Sequence, residues 1–283
     1  MEDSAIKIKK QNTDQRIVCL SEQHNEIIYA LGAQKNLVAV DVSSIYPPAI
    51  QKLPTVGYHM ALSLEGILSM KSTLIIEKGG AFSTGPEHVV RQLKQLKIPF
   101  KTFKNRSTDI HSTEALIREM GAYFHRKKIA DSLCDKLTND MQLALSRAKD
   151  YNESPSVAVI HFDRTSSIYL LVTDNSTAAK MVQWAGGQMA IHGDKSMIRL
   201  ASPEIIAKAN PDVILMTGYG YDRLGSDNMI DQLPGVGETK AAKNHQIYRV
   251  EEHDLLYLGP RTGENVLKLQ RLIHQDATVQ EGI

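Results

Sequence analysis

The stretch SLEGILSMKSTLII, residues 63–76, decides the fold because it recurs without gaps as SPEIIAKANPDVIL at residues 202–215. Each copy begins with a serine, carries a glutamate two positions later and ends in an apolar run. A serine N-cap followed by an acidic residue is typical of a helix start, and a short apolar run is typical of a buried strand. The two copies therefore predict two equivalent α/β units in one chain.

Strand and helix signals also alternate on both sides of each copy. In the first half, the apolar runs 16–20 and 37–41 are separated by a helical pattern, and the second half repeats this rhythm from residue 156. Such alternation favours a mainly parallel sheet covered by helices. The predicted fold class is α/β, with two Rossmann-like lobes that each contain a mainly parallel sheet.

Between the two halves the pattern changes. Apolar side chains recur every four residues, at Ile129, Leu133, Leu137, Met141 and Leu145. Neither proline nor glycine interrupts this part of the chain between Gly121 and Pro155. The pattern predicts one long amphipathic backbone helix over residues 114–151 that joins the lobes. The predicted organisation is a flexible tail 1–15, an N-terminal lobe 16–125, a linker helix 126–152 and a C-terminal lobe 153–283.

Composition excludes several classes of protein. Lys and Arg total 33 against 32 Asp and Glu among 283 residues, so no global field attracts nucleic acid. Cys19 and Cys134 lie in apolar patterns, which favours buried free thiols over a disulfide. No run approaches the roughly 18 apolar residues of a membrane span, and the polar start with its basic run Lys7–Lys10 has no signal-peptide core. Two interpretations stay open, a cytoplasmic protein or an exported one whose signal has been removed.

Ligands of open α/β sheets bind beyond the carboxyl ends of the strands, so the loops there indicate a cleft between the lobes. The candidate ligand residues in these loops are Tyr46, Met60, Gly80, Asn175, Ser176, Tyr219, Tyr221 and Arg223. The segment 218–223 is interpreted either as an aromatic wall with a cation or as a flexible loop with an Asp222–Arg223 surface pair. The glycine-rich segment 79–85 lacks the Gly-Lys-Ser/Thr ending of a phosphate loop, which favours a loop at the rim of the cleft.

Several motifs are similar to those of one family. They are Tyr46-Pro47, Leu53-Pro-Thr-Val-Gly-Tyr58, Leu62-Ser-Leu-Glu-Gly66, Ala185-Gly-Gly187, Leu233-Pro-Gly-Val236 and Leu258-Gly-Pro-Arg261. With them the chain resembles the helical-backbone, or class III, periplasmic substrate-binding proteins of ABC importers, and in particular their haem-binding branch. The resemblance implies a monomeric binding protein, not an enzyme, which captures haem between its lobes and delivers it to a permease dimer. It also implies a periplasmic or extracytoplasmic location, with a lipid anchor as an open alternative.

The resemblance assigns roles to individual residues. In that branch the tyrosine of the Gly-Tyr motif ligates the haem iron, which implies this role for Tyr58. Without the motif, a tyrosine in a loop is usually a partly buried side chain whose hydroxyl is exposed to solvent. His59 is a second candidate ligand or a surface residue, and Met60 stands where the branch usually has an arginine. Glu65 and Glu204, one in each repeat, are implied to dock into basic pockets of the permease, although helix capping also explains a glutamate there.

Two other functions stay open. The same architecture could carry a ferric siderophore or a corrinoid, with Tyr58 only as part of the wall. Two α/β lobes are also found in enzymes of chelatase type, but no Ser/His/Asp set, carboxylate pair or cluster-binding cysteines stand in a catalytic motif. The sequence therefore predicts no catalytic residues, no catalytic cofactor and no nucleic-acid partner, with haem as the transported ligand.

Overall fold

A computed structural model of the protein describes residues 15–58, 61–79, 85–164, 166–200, 202–225 and 227–275. The chain forms two compact units. The first consists of the chain up to Arg106 together with Arg118–Ala130, and the second consists of Ser107–Ile117 together with the chain from Asp131 onward. Each unit combines a sheet with helices, so the predicted two-lobed α/β fold class is confirmed.

The first unit is built on a four-stranded parallel sheet. Its strands are β1 (Ile17–Cys19), β2 (Leu37–Val40), β5 (Leu74–Glu77) and β6 (Phe100–Thr102), in the order β2-β1-β5-β6. A separate antiparallel hairpin consists of β3 (Gly57–Tyr58) and β4 (Ala61–Leu62). The helices are α1 (Glu22–Ala30), α2 (Leu64–Ser69) and α3 (Glu87–Gln95), with 3-10 turns at Gln34–Asn36 and Pro48–Lys52. Buried aliphatic side chains from β1, β5, α2 and α3 form its core.

The middle of the chain contains two helices, α4 (Ile110–Tyr123) and α5 (Lys127–Ala148), and each has residues in both units. The prediction of a single helix over residues 114–151 is therefore wrong. His125 has a positive φ of 57°, which an α-helix does not continue through. A side chain at Gly121 would come within 2.3 Å of the Cβ of Ala130, so the two helices approach each other closely just after the break.

The buried face of α5 also differs from the predicted stripe. Its buried residues include Ala130, Cys134, Leu137, Met141 and Ala144, whereas Ile129 and Leu145 are exposed. A spacing of four residues advances about 400° around the helix axis, so a strict four-residue repeat drifts off one face. Alternating steps of three and four residues keep the buried positions on one side.

The second unit contains a six-stranded sheet. Its strands are β7 (Ser156–Asp163), β8 (Ile168–Val172), β9 (Gln188–Met189), β10 (Met197–Arg199), β11 (Val213–Thr217) and β12 (Ile247–Val250). The order is β10-β8-β7-β11-β12, with β9 also beside β7. Strands β9, β11 and β12 run parallel to their neighbours, while β8 is antiparallel to both β7 and β10.

Seven helices are described in the second unit besides α5 and its part of α4. They are α6 (Thr177–Trp184), α7 (Pro203–Ala209), α8 (Gly218–Leu224), α9 (Asp227–Ile230), α10 (Lys240–Lys243), α11 (Glu252–Leu256) and α12 (Thr262–Ile273). The main core lies between the sheet and α7 and includes Ile160, Ile206, Ile214 and Met216.

The sequence repeat corresponds to a structural repeat. One copy forms α2 and β5, and the other forms α7 and β11. The aligned residues Ile67 and Ile206 are both fully buried. The caps differ, because the Ser63 hydroxyl accepts a hydrogen bond from the Gly66 N–H at 2.9 Å, whereas the Ser202 hydroxyl donates to the Glu204 carboxylate.

Both cysteines are free and buried, as predicted. Burial raises the pKa of the Cys19 thiol, so it stays protonated. In the part of the chain that the structure describes, every helix is either too short or too polar to cross a bilayer.

Candidate functional site

Tyr58 is presented by a hairpin that only a glycine allows. Gly57 has a φ of 97°, and a Cβ at this position would lie 2.6 Å from the carbonyl oxygen of Ala61. A residue with a side chain would therefore be strained in its backbone and would also collide with the opposite strand. Gly57 is thus a geometric requirement of the β3–β4 hairpin, and Tyr58 follows it directly.

Backbone hydrogen bonds attach this hairpin to the carboxyl end of β2. The N–H of Val56 donates to the carbonyl of Val40 at 2.9 Å, and the N–H of Val42 donates to the carbonyl of Gly57 at 3.0 Å. Tyr58 is half-buried at this position. The ligand predicted from the sequence is therefore held next to the loop that follows a strand of the parallel sheet, where ligands of such sheets bind.

The same loop contains a polar cluster. The Ser43 hydroxyl lies 2.5 Å from Oε1 of Glu22 and also contacts the Asp41 carboxylate, while the Ser44 hydroxyl donates to Asp41 at 2.5 Å. Asn25 donates to the Ser44 hydroxyl at 2.8 Å. Burial, and then the charge of Glu22, raises the pKa of Asp41 to about 6. This network fixes the loop after β2 beside the hairpin of Tyr58.

His24 lies in α1 of the first unit and is buried against aromatic rings. Its ring centroid is 5.4 Å from that of Phe103, which in turn lies 5.6 Å from Tyr123. Burial, and then the charge of Lys78, lowers the pKa of His24 to about 4, so the imidazole is neutral near pH 7. The sequence predicts a loop at the cleft for residues 21–24, whereas the structure places His24 in the first turn of α1, which follows the carboxyl end of β1.

The second unit presents an aromatic surface at the equivalent edge of its own sheet. Phe162 is the last but one residue of β7, and its ring centroid lies 4.8 Å from that of Tyr169 and 5.7 Å from that of Tyr219. Tyr219 follows the carboxyl end of β11 and is 44% exposed. The three rings pack closely because Gly220 leaves room for them, since a Cβ there would lie 2.8 Å from that of Phe162.

Two arginines cover this aromatic surface. The guanidinium carbon of Arg164 lies 4.2 Å from the ring centroid of Tyr219, and that of Arg223 lies 5.1 Å from the centroid of Phe162. Both arginines are exposed, and neither forms an ion pair with a described residue. We refer to Phe162, Tyr169, Tyr219, Arg164 and Arg223 as the aromatic–arginine cluster. It offers flat apolar area next to two cations.

The structure corrects the prediction of a loop after β11. The segment Gly218–Leu224 is the helix α8, which begins directly at the end of the strand. Asp222 pairs with Arg249, at 2.8 and 2.9 Å, and not with Arg223. The ion pair of Asp222 with Arg249 could not be predicted from the sequence. Strand β12 is distant along the chain and comes near α8 only because it pairs with β11. Tyr221 is half-buried and packs against the core.

Sequence reasoning missed three members of the cluster, namely Phe162, Arg164 and Tyr169. The available signal was the rule that ligand sites follow strands, because Phe162 and Arg164 stand at the carboxyl end of β7. The local sequence of this turn is that of an ordinary polar hairpin connection and does not indicate an aromatic surface.

The side chains of Asn175 and Ser176 form hydrogen bonds within the second unit that stabilise its local structure. The Ser176 hydroxyl accepts from the Ala179 N–H at 3.1 Å and so caps α6, while it donates to the carbonyl of Thr173. The Asn175 amide donates to the carbonyl of Asp194 at 2.7 Å. In the first unit, Tyr46 is half-buried and precedes Pro47 through a cis peptide bond.

Three other candidates, His59, Met60 and Gly80, lie outside the described residues. Within the described residues, no three or more His, Cys, Asp or Glu side chains are grouped so as to hold a metal ion. Glu65 and Glu204 lie in the first turns of α2 and α7, and both are exposed.

The family match and the similar proteins show the class of this two-unit α/β chain, which is a solute-binding protein of the ABC-transporter type. The model of the family described as periplasmic binding protein matches residues 17–253, and the chain belongs to this family. The family and the similar proteins are binding proteins, so the chain is a binding protein and not an enzyme.

Individual similar proteins differ in what their names say they bind. The structure of the periplasmic heme-binding protein RhuT from Roseiflexus sp. RS-1 in its apo form matches with a TM-score of 0.82 and 28% identity, covering 94% of this chain and 100% of that one. The uncharacterized ABC transporter substrate-binding lipoprotein YvrC from Bacillus subtilis is 26% identical, covering 96% of this chain and 83% of that protein. A vitamin B12-binding protein from Vibrio vulnificus is 23% identical over 94% of this chain and 92% of its own length.

Proposed function

We propose that this protein binds haem for an ABC importer, with Tyr58 as an axial ligand of the ferric iron. The observation that carries the proposal is the hairpin of Gly57 and Tyr58. A glycine-dependent turn fixes a phenol next to a ligand-binding edge of the first unit. A phenolate is a hard anionic donor, and tyrosine is an established axial ligand of haem iron.

The chemistry of the aromatic–arginine cluster in the second unit also suits a porphyrin. A porphyrin has large flat apolar faces and two carboxylate groups. Tyr219 offers exposed aromatic area, and Arg164 and Arg223 offer guanidinium groups that form charge-assisted hydrogen bonds with carboxylates. These cations are of the kind that the haem-binding branch usually places two residues after its tyrosine, where this chain has Met60.

A corrinoid is the second candidate, and the vitamin B12-binding relative favours it. A corrin also has a large face that could pack on Tyr219, but it brings its own cobalt ligands and would not need a phenolate. The two proposals therefore differ in the role of Tyr58. A ferric siderophore would likewise contact Tyr58 only as part of the wall of its binding site, without a bond from the phenolate to the metal.

Titration of the purified protein with hemin and, separately, with cyanocobalamin distinguishes these ligands. We expect a saturable shift of the hemin absorbance spectrum at micromolar protein and no change in the cobalamin spectrum or in its retention on gel filtration. Saturable cobalamin binding without a hemin response would reject the haem proposal in favour of the corrinoid.

For delivery, we propose that Glu65 and Glu204 contact basic pockets of a permease dimer. They occupy aligned positions of the repeat, in the first turns of α2 and α7, and are exposed. One carboxylate from each unit suits a partner with two equivalent subunits. The similarity to a substrate-binding lipoprotein supports an extracytoplasmic location, with lipid anchoring.

A further inference from the structure

The second unit contains a cavity of about 350 Å³ that is distinct from the aromatic–arginine cluster. It lies among α6, α11, α12 and the end of β12. Met181, Leu255 and Leu269 line it, and all three are buried in the fold. The volume corresponds to about 12 water molecules at about 30 Å³ each, so a small organic molecule fits.

One amide that lines this cavity has an N–H donor without an acceptor among the described residues. Asn265 lines the cavity and is only 6% exposed. Its side-chain oxygen accepts a hydrogen bond from Arg261 at 3.4 Å, but its amide nitrogen donates to none of the described residues. Buried amides usually satisfy both groups, so this donor is available to an acceptor in the cavity.

The charges around the cavity select the sign of its ligand. The lining carboxylates already have partners, since Glu251 pairs with Arg249 at 2.5 Å and Asp254 pairs with Arg261 at 2.7 Å. Lys268 pairs with Glu264 at 2.9 Å. The lining cation Arg271 is exposed and forms no ion pair with a described residue. The unmatched groups are therefore the N–H donor of Asn265 and the guanidinium of Arg271, which together fit an anion with oxygen acceptors.

We propose that this cavity binds a small amphipathic carboxylate, of the size of a medium-chain fatty acid. The acyl chain packs on Met181, Leu255 and Leu269. The carboxylate accepts a hydrogen bond from the amide of Asn265 and pairs with Arg271. Because the cavity lies wholly within the second unit, this binding does not depend on the haem proposal.

Octanoate is a suitable probe, and isothermal titration calorimetry of the full chain measures its affinity. Asn265→Asp keeps an oxygen that accepts from Arg261 and removes the amide donor, while it adds a charge of the same sign as the ligand. We expect it to weaken octanoate binding by at least about tenfold, the effect of losing a hydrogen bond to a charged group. Asn152→Asp makes the same change at an exposed position and is expected to bind octanoate as the wild type does.

A second variant tests the proposal even if Asn265→Asp fails to fold. Arg271→Gln changes an exposed side chain, so it should fold normally and weaken octanoate binding severalfold. In methyl-labelled protein, octanoate should shift the Met181 methyl resonance, which is assigned by its absence from Met181→Leu.

Three results would overturn the proposal: no octanoate binding by the wild type, unchanged affinity in both Asn265→Asp and Arg271→Gln, or loss of octanoate binding when hemin saturates the protein. Octanoate binding that responds to Asn265→Asp in a protein that ignores hemin would instead reject the haem proposal alone.

Discussion

The two units present different chemistry at the carboxyl edges of their sheets. The first holds Tyr58 by backbone geometry, through Gly57, on a hairpin bonded to the loop that contains the buried polar groups Asp41 and Ser44. The second exposes Tyr219 with the arginines of the aromatic–arginine cluster. The two units thus differ, because the first holds a tyrosine in a fixed position by its backbone and the second exposes aromatic area and charge.

The most severe test of the equivalence of the two units is a charge reversal on both. Glu65→Lys combined with Glu204→Lys should leave hemin affinity unchanged and reduce haem-dependent stimulation of the permease to background. The reason is that like charges at an interface cost several kcal/mol. The assay is ATPase activity of the cognate transporter in membranes. Glu87→Lys with Glu153→Lys makes the same change in net charge on exposed residues and should retain stimulation. Full stimulation by the Glu65 and Glu204 variant would contradict docking.

Gly57→Ala should destabilise the β3–β4 hairpin of the first unit, because only a glycine fits the backbone there. The Cβ contact with Ala61 and the positive φ together should lower the free energy of unfolding by about 3 kcal/mol and weaken hemin binding. Gly32→Ala is the matched control, because Gly32 also has a positive φ, of 66°, but an added Cβ there meets nothing within 4 Å. Urea denaturation and hemin titration of both variants measure the difference. Equal effects of the two changes would mean that the hairpin does not depend on Gly57.

The buried polar groups of the first unit should respond to pH in opposite directions. The pKa of Asp41 is raised to about 6, so between about pH 4 and 6 the folded chain holds a proton that the unfolded chain loses, and the free energy of unfolding falls as pH rises. The pKa of His24 is lowered to about 4, so between about pH 4 and 6.5 the unfolded chain holds the extra proton, and the free energy of unfolding rises with pH. The two contributions offset each other in the wild type.

Single substitutions separate these contributions. The rise in the free energy of unfolding between pH 4 and 6 should be about 2 kcal/mol larger in Asp41→Asn than in the wild type. The reason is that the opposing contribution of Asp41 is removed and that of His24 remains. His24→Phe keeps an aromatic ring beside Phe103 and should produce the opposite change of slope. Urea denaturation at pH 4.5, 5.5 and 6.5 measures both slopes. Identical slopes in the two variants would show that neither group titrates as described.

The cations of the second unit should have the smallest effect. Arg164→Gln with Arg223→Gln removes two exposed charges, each worth about 0.5 kcal/mol toward a carboxylate, so hemin affinity should fall about fivefold. The loss should shrink at high salt, because exposed charges are screened. Hemin titrations at 50 mM and 500 mM salt provide the measurement, with Arg91→Gln and Arg147→Gln as the control pair. A loss of affinity that is independent of salt would argue against ion pairing.

Local patterns predicted the repeat and many of the elements well. The Ser63 and Ser202 copies and the apolar runs 16–20 and 37–41 all correspond to elements of the structure. The break at His125 was not predicted because the helical sequence pattern continues across it. The helix that begins at Gly218 was not predicted because its glycines are typical of a loop. The pairings of Arg249 with Asp222 and of Phe162 with Tyr219 depend on sheet order, which no local pattern contains.

The central claim is that Tyr58 of the first unit, and not an aromatic residue of the second, ligates the iron. The most direct measurement is the visible spectrum of ferric haem bound to the wild type, to Tyr58→Phe and to Tyr219→Phe, which delete the same hydroxyl from the two units. We predict that a phenolate charge-transfer band is present in the wild type and in Tyr219→Phe, and absent from Tyr58→Phe, which keeps its fold but binds hemin much more weakly. An unchanged spectrum and affinity in Tyr58→Phe, or loss of the band only in Tyr219→Phe, would contradict the claim.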